Sequence, residues 1–138
     1  MIGKKNMVFG FLYFLTTLGL GMYLANRLGS GDKEFVDSQV RGILRAAHAH
    51  GNLESVLNIV IGYLLCRLSL DVWMAKAVSV LLMVGAVFHS GMLYLGGIGM
   101  LTGSGLVVAF NLTIVGAISL ITTMLLMAWG IMRLHSVD

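Results

Sequence analysis

Four apolar segments, separated by short polar stretches, dominate the pattern of hydrophobic and polar residues along the chain. Each segment is close to the ~20 residues that an α-helix needs to cross the hydrocarbon core of a bilayer. The pattern therefore predicts an all-α fold, an integral membrane four-helix bundle in which residues 1–138 form a single four-span transmembrane domain. The predicted spans run from about Met7 to Ala25, from about Ala47 to Cys66, from about Val72 to Leu95 and from about Leu106 to Met132.

The connections between these spans differ in length and polarity. The longest, NRLGSGDKEFVDSQVRGILR, contains a turn signal in GSGD, and the helical spacing of apolar residues from about Asp37 predicts that its end lengthens the second helix. The second and third spans are joined by the short RLSLD, and the third and fourth by the glycine-rich GGIGMLTGSG. After the fourth span, Arg133 and His135 are predicted to form a solvated tail.

Composition narrows the class of protein. Of the 138 residues, 58% are hydrophobic and only 11% are charged, whereas soluble domains contain about 25% charged residues. The net charge of +3 comes from scattered basic residues, which argues against a nucleic-acid partner. The lone cysteine, Cys66, excludes an intrachain disulfide. We therefore expect a multi-pass protein of a bacterial inner membrane, with the lipid bilayer as its surroundings.

The stretch RAAHAHGNLES, residues 45–55, places unusual polar chemistry at the start of the second predicted span. On a helix with ~100° per residue, its polar side chains fall on two neighbouring stripes and leave the remaining face apolar. An unpaired polar group in lipid is costly, so both stripes should face the bundle interior or a cavity. One stripe contains Arg41, Arg45, His48, Asn52 and Ser55, and the other contains His50, Glu54 and Asn58.

The histidines of this stretch cannot act together on one ion. His48 and His50 are two residues apart and point roughly 160° away from each other around a regular helix. His50 and Glu54 have i, i+4 spacing, at which a carboxylate can fix the tautomer of the ring. On the third span, His89 lies among glycines that leave room for a bulky group or another helix. We interpret His89 as a hydrogen-bonded interior residue, with a second axial ligand as the alternative.

His48 and His50 could also be ordinary interfacial residues. Ionisable residues inside membrane segments are functional by default, however, and here two histidines, an asparagine and a glutamate are clustered. We therefore predict that His48 or His50 binds a large planar metal cofactor. Arg41 and Arg45 would then either clamp the carboxylates of that cofactor or extend to lipid headgroups.

Two stretches, RAAHAHGNLESVLN in the second span and GAVFHSGMLYLGG in the third, resemble the styrene oxide isomerase family of small four-helix haem-binding membrane proteins. The resemblance covers most of the chain as architecture and these two stretches as motif. It implies a haem b (iron) bound by a histidine of the second helix, a small apolar epoxide substrate and assembly as a homotrimer. It also implies that the iron acts as a Lewis acid, so that the epoxide opens to an aldehyde with no net redox change.

Carried onto this chain, the resemblance implies His48 or His50 as the iron ligand. The preceding Arg-Ala favours His48, and the following glycine favours His50. We place the ligand at His48, which shares its stripe with Arg41 and Arg45, and keep His50 as the substitute. The resemblance further implies substrate-side roles for Asn52 or Asn58 and for Tyr94. Glu54, which lies close to where the family has an asparagine, is a further catalytic candidate.

Two other functions are compatible with the same residues. A small membrane cytochrome b would need two axial ligands, which His89 together with His48 or His50 could supply. A cofactor-free helper subunit would instead use Glu54 and the histidines to relay protons. A haem-dependent isomerase differs from both because it needs an open coordination position on the iron.

Overall fold

The computed structural model of the chain describes residues 2–104 and 106–134, and most of these are helical. A π-helical turn, Val87–Gly91, joins the fourth and fifth helices into one continuous rod, and a 3₁₀ segment, Leu106–Leu112, leads into the sixth. The predicted all-α fold class is confirmed. In chain order the helices are α1 (Ile2–Gly29), α2 (Lys33–Asp37), α3 (Gln39–Arg67), α4 (Val72–Ala86), α5 (Met92–Thr102) and α6 (Thr113–Leu134).

Three helical segments of the described chain are long and apolar enough to cross a membrane. They are Ile2–Gly29, Val72–Thr102 and Ala109–Leu134. The remaining predicted span, from about Ala47 to Cys66, corresponds to α3, which has 29 residues and is long enough, so its crossing of the bilayer stays a prediction. Because α3 contains arginine, histidine, asparagine and glutamate, it is more polar than these three segments.

The glycine-rich stretch before α6, expected to be a connection, is mostly helical. The helix continues to Thr102 and ends at Gly103, whose φ of 63° lies in the left-handed region that favours glycine. Glycine is a poor helix former, but Gly96 lies where the ring of Phe110 meets the helix backbone. The contact between Gly96 and Phe110, which lie on either side of the turn at Gly103, therefore compensates for the low helix propensity of the glycines.

Local capping orders the polar connection between α1 and α3. The Asp32 side chain accepts a hydrogen bond from the backbone nitrogen of Phe35 at 3.0 Å and pairs with Arg27 at 2.7 Å. The Ser38 side chain then accepts from the backbone nitrogen of Arg41 at 3.3 Å, as an N-cap of α3. The predicted extension of the second helix into this connection is confirmed.

Helices α1 and α3 pack antiparallel along most of their lengths. A Cβ placed on Gly3 would collide with the backbone of Gly62, and one placed on Gly10 would lie 2.7 Å from the carbonyl oxygen of Ser55. The start of α1 therefore meets the end of α3. Small residues at helix crossings let two backbones approach closely, which is the usual way in which membrane helices pack.

Helix α6 runs antiparallel to the rod formed by α4 and α5. A Cβ on Gly130 would lie 2.7 Å from the sulfur of Met74, and one on Gly116 would collide with the backbone at His89. The π-helical turn is therefore fixed from the outside by α6.

Two apolar clusters fill the ends of the bundle and leave a polar layer between them. Large apolar side chains also cover much of the outside of α1 and α6, more than a soluble protein usually exposes. One cluster consists of Ile61, Leu65, Met74, Ala75, Val78, Leu82 and Met127, and the other of Leu20, Leu24, Phe35, Leu44 and Ala47. The outward-facing residues include Phe11, Leu12, Leu15, Met22, Ile114, Ile118, Ile121 and Leu125.

The end of α6 carries one of the two residues predicted to form a C-terminal tail. The guanidinium carbon of Arg133 lies 3.9 Å from the centroid of the Trp129 ring, a cation–π contact. Arg133 is thus still on the helix and against an aromatic side chain. His135 lies outside the described residues.

Candidate functional site

A carboxylate lies buried where α1, α3 and the π-helical turn meet. Glu54 of α3 is only 2% exposed. It is surrounded by Tyr13 of α1, His50 of α3, and His89 and Ser90 of the π-helical turn. We call these five residues the carboxylate cluster.

Both carboxylate oxygens of Glu54 have hydrogen-bond partners. Ser90 Oγ donates to Oε2, and His89 Nδ1 lies 2.6 Å from Oε1. The Tyr13 hydroxyl lies 2.7 Å from Ser90 Oγ and 3.2 Å from the backbone oxygen of Ala86, to which it donates. A buried polar group needs such partners to replace the lost water, and here two side chains of the π-helical turn supply them.

The π-helical turn brings two consecutive residues to the same carboxylate. Neighbouring residues of a regular α-helix point ~100° apart, which rarely directs both at one group. Single π-helical turns inside α-helices are rare and are found frequently at functional sites. Here the turn directs His89 and Ser90 at opposite oxygens of Glu54.

His50 forms the outer edge of the carboxylate cluster. Its ring is in an edge-to-face arrangement with the His89 ring, with centroids 4.8 Å apart. His50 is exposed, and within the described part of the chain its ring makes no hydrogen bond. Ligand atoms of His50, Glu54 and His89 all lie within 4.8 Å of one another. Two imidazoles and one carboxylate are a ligand set that binds zinc and non-haem iron in proteins.

His48 points to a different side of α3, towards α1. Its Nδ1 lies 2.8 Å from the backbone carbonyl oxygen of Thr17. A carbonyl oxygen only accepts, so Nδ1 carries the hydrogen and the unprotonated Nε2 accepts a hydrogen bond from the Asn52 amide nitrogen at 3.2 Å. This geometry fixes the tautomer in the way that metal-binding histidines require. A Cβ on Gly21 would lie 2.5 Å from the His48 ring, so this glycine provides the space that the ring occupies.

Beside His48, the outer surface of α3 forms an open groove of about 470 Å³. This volume is within the range of roughly 300–1,000 Å³ that is usual for small-molecule sites. Three of its residues are glycine or alanine, so the groove floor is flat, and Arg45 provides a cationic edge. Arg41, the other predicted clamp, is half-buried. The groove is lined by Gly42, Arg45, Ala46, His48 and Ala49.

Asn58 belongs to a separate hydrogen-bond network deeper in the bundle. The Asn6 amide donates to Asn58 Oδ1 at 3.1 Å and to the backbone oxygen of Ser79 at 3.0 Å. The Ser79 hydroxyl donates back to Asn6 Oδ1 at 2.5 Å. All three side chains are buried, so the network ties α1, α3 and α4 together.

Tyr94 lies at the end of the bundle that contains His48, beside a mainly apolar pocket of about 290 Å³. The pocket is lined by Gly19, Leu20, Tyr23, Leu44, Tyr94, Ile98 and Leu101. The four predicted substrate-side residues therefore occupy different environments, and their roles stay predictions. Asn52 is next to His48, Asn58 is in the interhelical network, Glu54 is in the carboxylate cluster, and Tyr94 is in this pocket.

A family profile described as a domain of unknown function, DUF8059, matches residues 3–138. The chain belongs to the DUF8059 family. Comparisons with curated proteins and with solved structures gave no match. The DUF8059 match spans α1 to α6, so the carboxylate cluster and the groove beside His48 both lie within the family domain. The resemblance to styrene oxide isomerases stays a prediction.

The polar networks of this DUF8059 protein include residues that the sequence analysis did not select. Asn6 directly precedes the first predicted span and Ser90 follows His89, whereas Tyr13 and Ser79 are isolated polar residues inside apolar segments. Such positions do carry a signal, because a polar side chain in an apolar span must find a partner within the protein. The sequence pattern cannot identify that partner, which in each case lies on another helix.

Proposed function

We propose that this DUF8059 protein spans the membrane four times, with α3 as the polar fourth span inside a bundle of α1, the α4–α5 rod and α6. The distribution of residues around α3 supports this arrangement. The polar Glu54 and Asn58 are buried, whereas Leu53, Val56 and Val60 are exposed. Glu54 and Asn58, two of the residues that make α3 polar, are therefore shielded from lipid.

We propose, further, that His48 binds haem b through Nε2. The observation that carries this proposal is the hydrogen bond from His48 Nδ1 to the carbonyl oxygen of Thr17, which leaves Nε2 unprotonated next to the groove. An imidazole nitrogen as the iron ligand and an open groove beside it both fit a haem. Gly42, Ala46 and Ala49 keep the groove free of bulky side chains, and Arg45 could pair with a propionate through its N–H donors.

The function that best fits this site is a haem-dependent isomerase that converts a small epoxide into a carbonyl compound. When bound, haem b would supply a Lewis-acidic iron that promotes epoxide opening and a hydride shift, with no net redox change. The protein would hold the cofactor through His48 and fix the ring with Thr17 and Gly21. Asn52, 3.2 Å from Nε2, is the nearest described polar side chain that could be displaced by the cofactor. The likeness of RAAHAHGNLESVLN to styrene oxide isomerases supports this reaction over electron transfer.

We also propose that the functional unit is a homotrimer, as that likeness implies. The groove beside His48 is open on one side in a single chain, so a planar cofactor there would be partly uncovered. A second copy packed against this face would exclude lipid from the cofactor and complete the wall of the site.

The experiment that tests the proposal is an absorption spectrum of the full chain, purified in mild detergent and supplied with haemin. We expect a Soret band for the unmodified protein and for His50→Ala, and none for His48→Ala. Arg45→Ala should weaken haem affinity without changing the ligand field.

Incubation with styrene oxide should give the isomeric aldehyde with the unmodified protein and not with His48→Ala. Light scattering should give the mass of three chains.

Other results would contradict specific parts of the proposal. Colourless protein after haemin addition would exclude haem binding. Loss of haem in His50→Ala but not in His48→Ala would move the ligand to the carboxylate cluster. A low-spin, bis-histidine spectrum would favour the cytochrome b alternative, which needs a second axial histidine.

A further inference from the structure

We propose that His50, Glu54 and His89 form a second metal site, which binds a divalent transition-metal ion of the Zn²⁺ class directly through the side chains. This site is independent of haem binding at His48, because it uses different residues on another side of α3. The inference therefore stands whether or not the haem proposal is correct.

The three side chains already have the geometry of a nearly assembled site. Their ligand atoms lie within 4.8 Å of one another, and Zn²⁺ binds imidazole nitrogen and carboxylate oxygen at about 2.0–2.2 Å. Small rotations of the side chains would bring the atoms onto one ion. The residues come from two elements, α3 and the π-helical turn, and α6 fixes the turn at Gly116. The arrangement thus depends on packed helices and not on a mobile loop.

The remaining residues of the carboxylate cluster act as a support for Glu54. Ser90 donates to Oε2 and has the Tyr13 hydroxyl 2.7 Å from its Oγ, and Oε1 is the oxygen directed at His89. Ligating carboxylates in metal sites are commonly held by such hydrogen bonds. The ion would replace the hydrogen between Oε1 and His89 Nδ1, and the His89 ring would then carry its hydrogen on Nε2.

The burial of the three ligands defines how an ion would enter. Glu54 is 2% exposed and His89 is 22% exposed by side chain, whereas His50 is on the surface with no hydrogen-bond partner among the described residues. His50 would therefore be the outer ligand and Glu54 the inner one. Three protein ligands leave one position of a tetrahedral ion for water or a small molecule, as in catalytic rather than structural zinc sites.

The test is a calorimetric titration of the full chain in detergent with ZnCl₂, after treatment with a chelator, with zinc content measured after gel filtration. We expect one zinc per chain in the unmodified protein. Loss of a supporting hydrogen bond typically costs about 10- to 100-fold in metal affinity, so we expect Ser90→Ala to weaken zinc binding by about 10-fold. His50→Ala and Glu54→Gln each remove a direct ligand and should weaken binding at least as much.

Two control variants distinguish zinc bound by the carboxylate cluster from zinc bound elsewhere on the chain. His48→Ala removes a histidine of the haem proposal and should bind zinc normally, and Glu34→Gln removes an exposed carboxylate of α2 and should also have no effect. His50 is exposed, so its replacement should leave the fold intact even if Glu54→Gln misfolds. Absence of stoichiometric zinc, or equal affinity in His50→Ala and the unmodified protein, would overturn the proposal. Loss of zinc in His48→Ala would also overturn it.

Discussion

Two histidines that are close in sequence are held in different ways on α3. His48 has its tautomer fixed by the carbonyl oxygen of Thr17 and its ring enclosed by the backbone at Gly21. His50 has an exposed ring whose described contact is the edge of the His89 ring. A fixed tautomer with an unprotonated Nε2 suits a single axial bond to a planar cofactor. An exposed imidazole beside a carboxylate and a second imidazole suits a small ion.

The His48 arrangement depends on the absence of a side chain at Gly21. We predict that Gly21→Ala displaces the ring, breaks the hydrogen bond to Thr17 and abolishes haem retention, because the new Cβ would lie 2.5 Å from His48 Cε1. Gly19→Ala is the matched control, since a Cβ there has no atom within 4 Å. Both changes raise helix propensity by about 1 kcal/mol in soluble helices. Haem stoichiometry in purified protein is the measurement, and equal retention in the two variants would contradict this role of Gly21.

At the scale of helices, the sequence predicted the direction of the polar side chains on α3 better than their partners. Helical periodicity placed Glu54, Ser55 and Asn58 inside, and all three are buried. The same reasoning placed Arg45 and His50 towards the interior or a cavity, but both are exposed. Helical periodicity assumes one regular helix and contains no information about where the neighbouring helices lie.

The contacts that these polar side chains make with other helices depend on features that a hydrophobicity pattern does not contain. The π-helical turn has no sequence signature in VFHSG, yet it directs both His89 and Ser90 at Glu54. The glycine-rich end of the rod is helical because Phe110 packs against Gly96, a contact made by residues beyond the turn. Tertiary packing outweighed local propensity in this case.

The network of Asn6, Asn58 and Ser79 should couple α1 to α4 energetically. Interhelical hydrogen bonds in membrane proteins contribute about 0.6 kcal/mol on average and up to about 1.7 kcal/mol. We predict a coupling energy within this range from a double-mutant cycle of Asn6→Ala and Ser79→Ala, measured as free energy of unfolding in detergent. Pairing Asn6→Ala with Thr122→Ala is the control, because the Thr122 hydroxyl bonds to Ile118 of its own helix. A coupling no larger than that of the control would show that the network adds nothing to helix association.

At the scale of the whole molecule, the position of α3 determines the topology of the chain. Helix α1, the α4–α5 rod and α6 are long and apolar enough to cross a membrane, whereas α3 is more polar. In the fold, however, α3 lies against α1 along most of its length and contributes residues to both apolar clusters. The centre of its polar stripe, Glu54, Ser55 and Asn58, is buried against the neighbouring helices, which favours a helix that crosses the bilayer.

The four-span arrangement predicts which connections share a side of the membrane. In a Cys66→Ser background, single cysteines would be introduced by Ser30→Cys, Ser69→Cys and Ser104→Cys, all at exposed positions between helices. If α3 crosses the bilayer, positions 30 and 104 lie on one side and position 69 on the other. If α3 stays on one surface, positions 30 and 69 share a side and position 104 is opposite.

Labelling of sealed, oriented vesicles with a membrane-impermeant maleimide distinguishes these two arrangements, with detergent-opened vesicles as the control for reactivity. We expect positions 30 and 104 to behave alike and position 69 to behave oppositely. Matching behaviour of positions 30 and 69 would exclude α3 as a span and, with it, the placement of both proposed metal sites inside a four-span bundle.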